Sequence, residues 1–429
     1  MPGSLPVLNR AAVDYAIRAA LALGCTVHET SVFARKNYFY PDLPKGYQIS
    51  QYELPLATRG VFEGVRITRV HLEEDAGKSL HEGFVDSARK TYIDFNRTGV
   101  PLIEIVTEPD LQSGSAAADF FTRLREVLVW LGVNDGNMEE GSLRCDANVS
   151  VRPAGQQTLG TKAEVKNLNS FKFLQKALEY EVERQIAIVH DGGRVVQETR
   201  LWEAAAGRTV SMRSKEEAHD YRYFPDPDLP AVIVDEARIA GIRATMPELP
   251  AARRRRLAAQ YALPDYDANQ LTQSRALADY FEAVVTTGAP AKAASNWIMG
   301  ELARKLKEQG TEVSASPLTA DRLAGLLVLI DKGTLSGSMA KDVFEKMYAT
   351  NRTAAAIVEA EGLAQIDDEG HIAALIGEVV AANADAVAQY RAGKASTFGF
   401  LVGQVMKATK GKANPKRVNE LLQKALGSG

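Results

Sequence analysis

The sequence predicts an α+β protein in which an antiparallel sheet precedes a run of helices. In the first half of the chain, short segments alternate apolar and polar residues with the period of two that is typical of half-buried strands. After Met246–Pro250 the composition changes to alanine-rich segments with helical spacing and few strand patterns. A second change near Glu361–Gly362 precedes a terminal helical unit of about 70 residues, which is small for a domain. The predicted domains are therefore 1–246, 247–361 and 362–429.

Length and composition are those of an ordinary globular protein. The 429 residues are enough for two or three domains. A net charge of -3 gives no overall signature of nucleic-acid binding, so any RNA contact needs a local basic patch. Cys25 and Cys145 are too few for a disulfide framework and have no metal-binding spacing. We find no signal peptide and no apolar run of membrane-spanning length, and we expect a cytoplasmic protein with neither a membrane nor a DNA partner.

Two segments after residue 140 have the pattern of half-buried strands. Ser142–Arg152 sets five apolar residues opposite a polar face that includes Arg144 and Asp146. Thr161–Leu168 repeats the alternation and includes Lys166 on its polar face. A lysine beside an acid on such a face can neutralise a transferred phosphate.

Acidic residues also lie in or beside strand-like segments earlier in the chain. Val61–Leu72 leads to Glu74, and Pro101–Thr107 is apolar on both faces except for Glu104. Because a strand sends alternate side chains to one face, Glu74, Glu104 and Asp146 can converge. Converging carboxylates repel one another unless a cation lies among them, and carboxylates together with substrate phosphates suit Mg2+. The residues therefore predict a magnesium and nucleotide site on a sheet, with solvated strand faces and ordinary ion pairs as the alternative.

The glycine and lysine that follow this acidic run do not form a phosphate-binding loop. Such a loop needs a glycine five residues before Gly77, and that position is Leu72. His71 by itself indicates a surface or core histidine rather than a ligand.

Two helices and two aromatic segments complete the first half. Ser113–Leu131 and Ser170–His190 carry apolar residues at helical spacing, and we interpret them as support for the sheet. In the second helix, the inward residues are predicted to include Val182 and Ile186. Arg35–Gln51 and Asp220–Pro230 are rich in proline, aromatic and charged residues, and we interpret both as loops. The first either binds a ligand, since rings stack on bases and cations meet phosphates, or packs its rings onto the core.

Basic residues gather in the last unit, around glycine turns that precede a helix. They include Lys407, Lys410, Lys412 and Lys416. Basic side chains near a helix N-terminus suit contact with a phosphate backbone without base readout. The segment therefore predicts RNA binding, with a solvated tail as the alternative.

Several motifs, in order over essentially the whole chain, resemble those of the B subunit in aspartyl/glutamyl-tRNA amidotransferases. They are Lys36–Gln51, His71–Lys78, Pro101–Val106, Met138–Asn148, Lys166–Ser170, Asp220–Pro225 and Phe398–Pro415. Several long motifs in order are more specific than any single short pattern. The resemblance implies a cradle-shaped catalytic domain with an antiparallel sheet, a helical domain and a small tail domain.

The resemblance also implies a chemistry. Enzymes of this family use ATP and Mg2+ to phosphorylate the side-chain carboxylate of Glu or Asp mischarged on tRNA(Gln) or tRNA(Asn). Ammonia that the glutamine amidase, or A subunit, releases from glutamine then displaces the phosphate, and a small C subunit is part of the same complex. Phosphorylation supplies a good leaving group, so the protein's task is positioning and charge neutralisation.

Individual residues receive roles by this similarity. The resemblance implies that Glu74 and Glu104 are carboxylates of the metal site or of an ammonia channel and that Asp146 is a further acid of the metal site. We expect all three to be metal ligands and, with Lys166, catalytic residues, and we expect Glu73 and Glu140 to be their neighbours. The nucleotide-binding residues are Lys78, Arg144 and Arg213, and the tRNA-binding residues are Lys407, Lys410, Lys412 and Lys416.

One departure from the family pattern lies at the start of the chain. Family members normally begin with a Gly-Leu-Glu-x-His strand, often with cysteine motifs that hold zinc, before the segment that matches Met1–Gly3. We therefore expect a truncated or wrongly started reading of the gene that lacks a metal-binding Glu and His. Two other functions stay open: a tRNA-binding or assembly module without chemistry, and a carboxylate-amine ligase that acts on a small molecule.

Overall fold

The chain forms two compact units, Met1–Pro250 and Ala251–Gly429. The computed structural model describes residues 5–80, 83–86, 89–212, 221–363, 369–409, 413 and 415–427. The domain boundaries at 246 and 361 stay predictions.

The first unit contains short strands and four helices in its described part. The strands are β1 Thr26–Val27, β2 Thr30–Ser31, β3 Ala34–Asn37, β4 Tyr47–Ser50, β5 Ala57–Phe62, β6 Val65–Glu74, β7 Lys78–Leu80, β8 Tyr92–Asp94, β9 Pro101–Thr107, β10 Ala147–Val149, β11 Ala163–Lys166, β12 Thr199–Glu203, β13 Arg208–Ser211, β14 Arg222–Pro225 and β15 Val232–Ile233. The helices are α1 Arg10–Ala22, α2 Gly114–Trp130, α3 Phe171–His190 and α4 Glu236–Thr245.

Two four-stranded sheets organise this unit. The first has the order β1-β5-β6-β9 and is antiparallel throughout. The second has the order β10-β11-β12-β13, in which β11 and β12 are parallel and the other pairs antiparallel. A three-stranded antiparallel sheet, β14-β3-β4, and the two-stranded pairs β15-β2 and β7-β8 complete the described set. The predicted α+β class is confirmed.

The long strand that leads to the acidic run is one arm of a hairpin. The sequence pattern predicts a strand over Val61–Leu72, but the chain reverses at Glu63 and Gly64, whose φ angles are 49° and 80°. Two consecutive left-handed residues make the tight turn that matches the twist of paired strands, and Gly64 adopts this conformation without a Cβ clash. The β6 strand therefore begins at Val65 and delivers the acids at its far end.

The predicted strand over Ser142–Arg152 is shorter than its pattern. Only Ala147–Val149 pairs with β11. The alternation nevertheless holds from Ser142 to Asn148, where the polar members are exposed and the apolar members are partly buried. The polar face that carries Arg144 and Asp146 is therefore presented as predicted, although most of the segment lacks a ladder.

Both aromatic segments contain strands, and their interpretation as loops is wrong. Arg35–Gln51 folds as the β3-β4 hairpin, and the residues after Asp220 supply β14, which pairs with β3. Charged and proline residues in these segments hide the strand pattern, since Gln48 and Ser50 are buried polar residues that alternate with the buried Ile49. The pairing sets Tyr223, Lys36 and Gln48 side by side across the three strands.

Helices α2 and α3 pack together beside the large sheets, as predicted. Each begins after a serine whose Oγ accepts a backbone hydrogen bond, from Ala116 N at 3.1 Å for Ser113 and from Phe173 N at 3.1 Å for Ser170. The predicted inward face of α3 is wrong at its C-terminal half. Glu181 and Gln185 are buried there, and Ile186 is 52% exposed.

The second unit is helical in its described part. Its helices are α5 Pro250–Tyr261, α6 Asp265–Leu271, α7 Arg275–Thr286, α8 Ala291–Trp297, α9 Ala303–Gln309, α10 Ala320–Asp331, α11 Gly337–Thr350, α12 Ala354–Glu361, α13 Glu369–Ala382, α14 Ala384–Arg391, α15 Ser396–Ala408 and α16 Pro415–Gly427, with a π-helical turn at Ile298–Leu302 and a 3-10 turn at Val313–Ala315. One apolar core runs from Leu257 to Val358 and a separate one from Ile372 to Leu426.

Within the described residues, no single helix has the length and apolarity needed to cross a membrane. One pair, Gly370–Ala382 and Ala384–Arg391, passes the length and composition criteria jointly, and it is bent by 91° at its break.

Candidate functional site

A histidine and two carboxylates meet where β6 lies beside β9. The register pairs His71 with Glu104, and the alternation of β6 puts Glu73 on the same face as His71. His71 Nε2 lies 3.3 Å from Glu73 Oε1 and 3.6 Å from Glu104 Oε2. One ligand atom from each of the three residues lies within 4.8 Å of the other two. We call His71, Glu73 and Glu104 the acid cluster.

Glu73 is the buried and fully hydrogen-bonded member of the acid cluster. Its Oε2 accepts from Gln48 Nε2 at 2.9 Å, and its Oε1 accepts from Ser50 Oγ at 2.5 Å. Both donors come from β4, so the small sheet covers this face of β6. Burial opposes ionisation of Glu73, but the hydrogen bonds from His71 and Ser50 and the charge of Lys36 outweigh it and lower the pKa of Glu73. Glu73 is therefore a fixed negative charge.

Glu104 is the more accessible acid, with 42% of its side chain exposed. Its partial burial, followed by the charge of Glu73, raises the pKa of Glu104. Arg69 Nε donates to His71 Nδ1 at 3.4 Å, which indicates that the His71 proton is on Nε2 and points at the two carboxylates. Two carboxylates that repel each other across one histidine N–H form a site to which a divalent cation would add the missing positive charge.

Aromatic rings and one lysine surround the acid cluster. Tyr52 stacks on Tyr223 with ring centroids 4.2 Å apart, and Lys36 Nζ lies 4.9 Å from the ring centroid of Tyr221. Burial, and then the charges of Glu73 and Glu104, raise the pKa of Tyr223. Tyr223 therefore stays a neutral phenol beside the carboxylates, while Lys36 supplies the nearby positive charge.

Glu74 lies on the opposite face of β6 from the acid cluster. Its Oε1 accepts from the backbone N of Ile49 at 2.9 Å and pairs with the ammonium of Lys45. Its carboxylate is therefore held by the β4 backbone and by the loop that precedes β4.

A second group of charges includes Arg144 and Asp146 on the polar face of Ser142–Arg152. Arg144 Nη2 donates to Asp75 Oδ2 at 2.6 Å, which ties this face to the residue that follows Glu74. Lys166 Nζ donates to Asp146 Oδ2 at 3.0 Å and lies 3.5 Å from Glu164 Oε1. Burial disfavours the charged lysine, but Asp146 and Glu164 outweigh it and raise the pKa of Lys166. This group therefore holds two cations, Arg144 beside the acidic end of β6 and Lys166 between Asp146 and Glu164.

The structure thus brings only one of the three predicted metal ligands into the acid cluster. Among the described residues, Glu74, Glu104 and Asp146 do not form a group with all ligand atoms within 4.8 Å. Glu74 lies outside the acid cluster because successive residues of a strand point to opposite faces, and Glu74 directly follows Glu73. The ligand roles of the three acids stay predictions.

The other predicted residues are distributed as follows. Lys78 is exposed at the start of β7, opposite Asp94 in the register. Lys407 is exposed in the last turn of α15. Arg213, Lys410, Lys412 and the side chain of Lys416 lie outside the described residues.

Of the acid cluster, sequence reasoning named Glu104 as a metal ligand and Glu73 as its neighbour. It predicted a surface or core histidine at His71, which is 1% exposed and lies between two carboxylates. The spacing of His71 and Glu73 on one strand face was an available signal that they meet. The sequence patterns single out Arg35–Gln51 and Asp220–Pro230, but they do not show that Lys36, Gln48 and Tyr223 lie near the acids, since that depends on one sheet covering another.

Comparison with known proteins shows which family the chain belongs to. The profile described as the GatB/GatE catalytic domain matches residues 1–240, and the profile described as the GatB domain matches residues 279–426. Proteins named as the B subunit of aspartyl/glutamyl-tRNA(Asn/Gln) amidotransferase are similar over their length. That of Bordetella pertussis is 56% identical over 100% of this chain and 91% of its own, and that of Carboxydothermus hydrogenoformans is 53% identical over 99% and 90%. The chain therefore belongs to the GatB family of aspartyl/glutamyl-tRNA(Asn/Gln) amidotransferases, whose members are subunits of ATP-dependent, glutamine-hydrolysing ligases.

Proposed function

We propose that this chain activates the side-chain carboxylate of Glu on tRNA(Gln), or of Asp on tRNA(Asn), with ATP, so that ammonia can convert it to an amide. The observation that carries the proposal is the acid cluster, a buried His71–Glu73 pair beside the accessible Glu104. The cations of Arg144 and Lys166 pair with Asp75 and Asp146, respectively. Such an arrangement suits phosphoryl transfer, in which positioning and charge neutralisation do most of the work.

The proposed reaction has two displacements. A carboxylate oxygen of the substrate attacks the γ-phosphorus of ATP, the bond to the bridging oxygen breaks, and ADP leaves. Ammonia then attacks the acyl carbon, the bond to the phosphate oxygen breaks, and nitrogen loses a proton. When a protein holds both reactants in the right orientation, that orientation alone supplies much of the rate enhancement.

The donor set of the acid cluster fits Mg2+. Mg2+ prefers oxygen ligands and is usually bound through one or two carboxylates together with substrate phosphates. Glu73 and Glu104 would hold it, and the Nε2 proton of His71 would keep both carboxylates in place. When bound, the ion supplies charge neutralisation at the transferred phosphoryl group. Glu74 and Asp146 remain proposed ligands whose carboxylates would have to turn from Lys45 and Lys166.

The permanent cations suit the nucleotide. Lys166 keeps its proton because Asp146 and Glu164 raise its pKa, and Arg144 is oriented by Asp75. We propose that both neutralise phosphate oxygens, with Lys78 and Arg213 as further nucleotide contacts.

The proposed partners follow from this reaction. A glutamine amidase, the A subunit, must supply ammonia, and a small C subunit would complete the complex. Mischarged tRNA is the substrate, and Lys407, Lys410, Lys412 and Lys416 are proposed to bind its backbone. Because aminoacyl-tRNA is consumed where translation takes place, the proposed site of action is the cytoplasm.

ATP consumption tests this function. In complex with its amidase partner, the chain should hydrolyse ATP only when mischarged tRNA is present, and amide should form when glutamine is added. A binding module without chemistry would shift tRNA mobility and leave ATP intact. A small-molecule ligase would consume ATP with a free amino acid, so either result would contradict the proposal.

A further inference from the structure

The loop between β3 and β4 presents an exposed phenylalanine next to a small apolar pocket. Phe39 is 88% exposed, against 49% or less for the other exposed phenylalanines of the described residues. A shallow pocket of about 280 Å³ lies beside it. It is lined by Phe39, Tyr40, Pro41, Leu43 and Pro44. We call it the loop pocket, and none of its lining residues carries a charge.

The loop pocket is held in shape by its own backbone. Leu43, its floor, is 1% exposed, and Leu43 N donates to Tyr40 O at 2.9 Å. Tyr38 N donates to Gly46 O at 3.1 Å, which closes the loop. Gly46 has a φ of 77°, and a Cβ there would come within 2.9 Å of Phe39 Cε1. The Phe39 ring therefore packs on a bare glycine, so it is exposed and yet oriented before any ligand arrives.

The loop pocket adjoins the acidic end of β6. Lys45, in the same loop, pairs with Glu74, and Gly77 N donates to Asp42 O at 2.9 Å. The ring of Tyr40 contacts that of Tyr38, with centroids 6.3 Å apart. The ring of Tyr38 in turn contacts that of Tyr221, with centroids 5.8 Å apart, and Lys36 Nζ lies 4.9 Å from the Tyr221 ring centroid. Ring contacts therefore run from the loop pocket to Tyr221, beside the lysine whose charge acts on the acid cluster.

The proposed reaction, on which this inference rests, dictates what must lie near the acids. The reacting carboxylate belongs to an amino acid esterified to the 3′-terminal adenosine of tRNA, so an unpaired base is tethered to it through the amino acid, the ester and the ribose. A nucleobase offers an apolar face that stacks on aromatic rings without regard to its identity. We propose that the loop pocket receives this terminal base, stacked on Phe39, and that it thereby positions the aminoacyl group.

A double-mutant cycle on tRNA binding tests the loop pocket. The complex with its amidase partner, carrying wild-type chain or Phe39→Ala, is titrated with uncharged tRNA that has or lacks the 3′-terminal adenosine. Removal of the adenosine should weaken binding to the wild type at least about fivefold, the effect of one stacked base. It should weaken binding to Phe39→Ala hardly at all, and Phe39→Trp should restore the difference.

The control is Phe224→Ala. Phe224 is 47% exposed, and the alternation of β14 puts it on the face opposite Tyr223. This variant should keep the wild-type difference. Independent, additive losses from the Phe39 change and the adenosine change would overturn the inference. So would a loss of affinity of Phe39→Ala for the amidase partner with no change in tRNA binding, since the ring would then be a protein contact. The cycle uses neither ATP nor an amino acid, so failure of the proposed function, seen as no ATP consumption by the wild type, is distinguishable from failure of the base site.

Discussion

At the residue scale, the acid cluster separates two carboxylates by their surroundings. Glu73 is stabilised as an anion by Gln48 and Ser50, whereas burial and the charge of Glu73 raise the pKa of Glu104. Neighbouring acids whose pKa values are pushed apart are typical of functional sites, because such an arrangement has little structural benefit. Glu104, the accessible member, is therefore the acid most free to respond to a cation or a substrate.

Lys166→Ala should lower kcat for ATP-dependent amide formation by about 100-fold or more, since a preorganised charge at a transferred group is worth a few kcal/mol. Lys166→Arg should retain part of the rate because it keeps the charge. The measurement is steady-state amide formation with mischarged tRNA in the assembled complex.

The control for this prediction is Lys176→Ala, which removes an exposed lysine from α3. It should stay within about twofold of the wild type, as surface substitutions usually do. Equal rates of amide formation for Lys166→Ala and Lys176→Ala would show that Lys166 takes no part in the proposed reaction.

At the element scale, the second sheet is tied to α3 by a buried polar network rather than by apolar packing alone. Glu181 accepts from Arg184 Nε and Thr209 Oγ1, each at 2.9 Å, and lies 3.2 Å from Arg200 Nε. Gln185 donates to Glu181 at 2.9 Å. Burial disfavours the anion, but these hydrogen bonds lower the pKa of Glu181.

Glu181→Gln should weaken the contact of α3 with β12 and β13 by about 2–3 kcal/mol, because it leaves buried arginines without their full counter-charge. Since the pKa of Glu181 is lowered on folding, its stabilisation is complete above the ordinary carboxyl value of 4.5 and is lost as the pH falls through the folded pKa. The difference between variant and wild type should therefore be constant near neutral pH and shrink in acid. Native-state hydrogen exchange at β12 and β13 measures it.

The matched change is Glu183→Gln, an exposed glutamate of the same helix. It should alter the exchange free energy by less than about 0.5 kcal/mol. If the stability difference between Glu181→Gln and the wild type grew in acid, the pKa of Glu181 would be raised on folding, which would contradict this account.

The sequence predicted elements well where the residue pattern depends on a single strand or helix. The helices predicted over Ser113–Leu131 and Ser170–His190 form, β9 has the predicted bounds, and the face of Arg144 and Asp146 is presented as predicted. The sequence did not predict features that depend on contact with a second element. Glu181 turns inward because Arg200 of β12 and Thr209 of β13 contact its carboxylate, which no helical spacing can reveal.

At the scale of the whole molecule, the proposed activation site and the proposed contact with the tRNA backbone belong to different units. The acid cluster belongs to the first unit, and the lysine-rich segment belongs to the second. Each site can therefore be changed without altering the residues of the other.

Replacement of Lys407, Lys410, Lys412 and Lys416 by alanine should weaken tRNA binding and make its salt dependence shallower, because each lost phosphate contact removes about one released counterion from the slope. The fourfold arginine variant keeps the charges and should keep the slope. Filter binding over a range of salt concentrations measures both. An unchanged slope in the alanine variant would exclude the segment from the tRNA interface.

The central claim is that the acid cluster supports transfer of phosphate to the substrate's side-chain carboxylate. Mischarged tRNA labelled with 18O in that carboxylate, supplied with ATP and glutamine to the assembled complex, tests it by mass spectrometry of the released inorganic phosphate. The account predicts one 18O atom in the phosphate with the wild type, and a rate of labelled phosphate formation at least about 100-fold lower with Glu104→Gln. Unlabelled phosphate from the wild type, or an undiminished rate with Glu104→Gln, would contradict it.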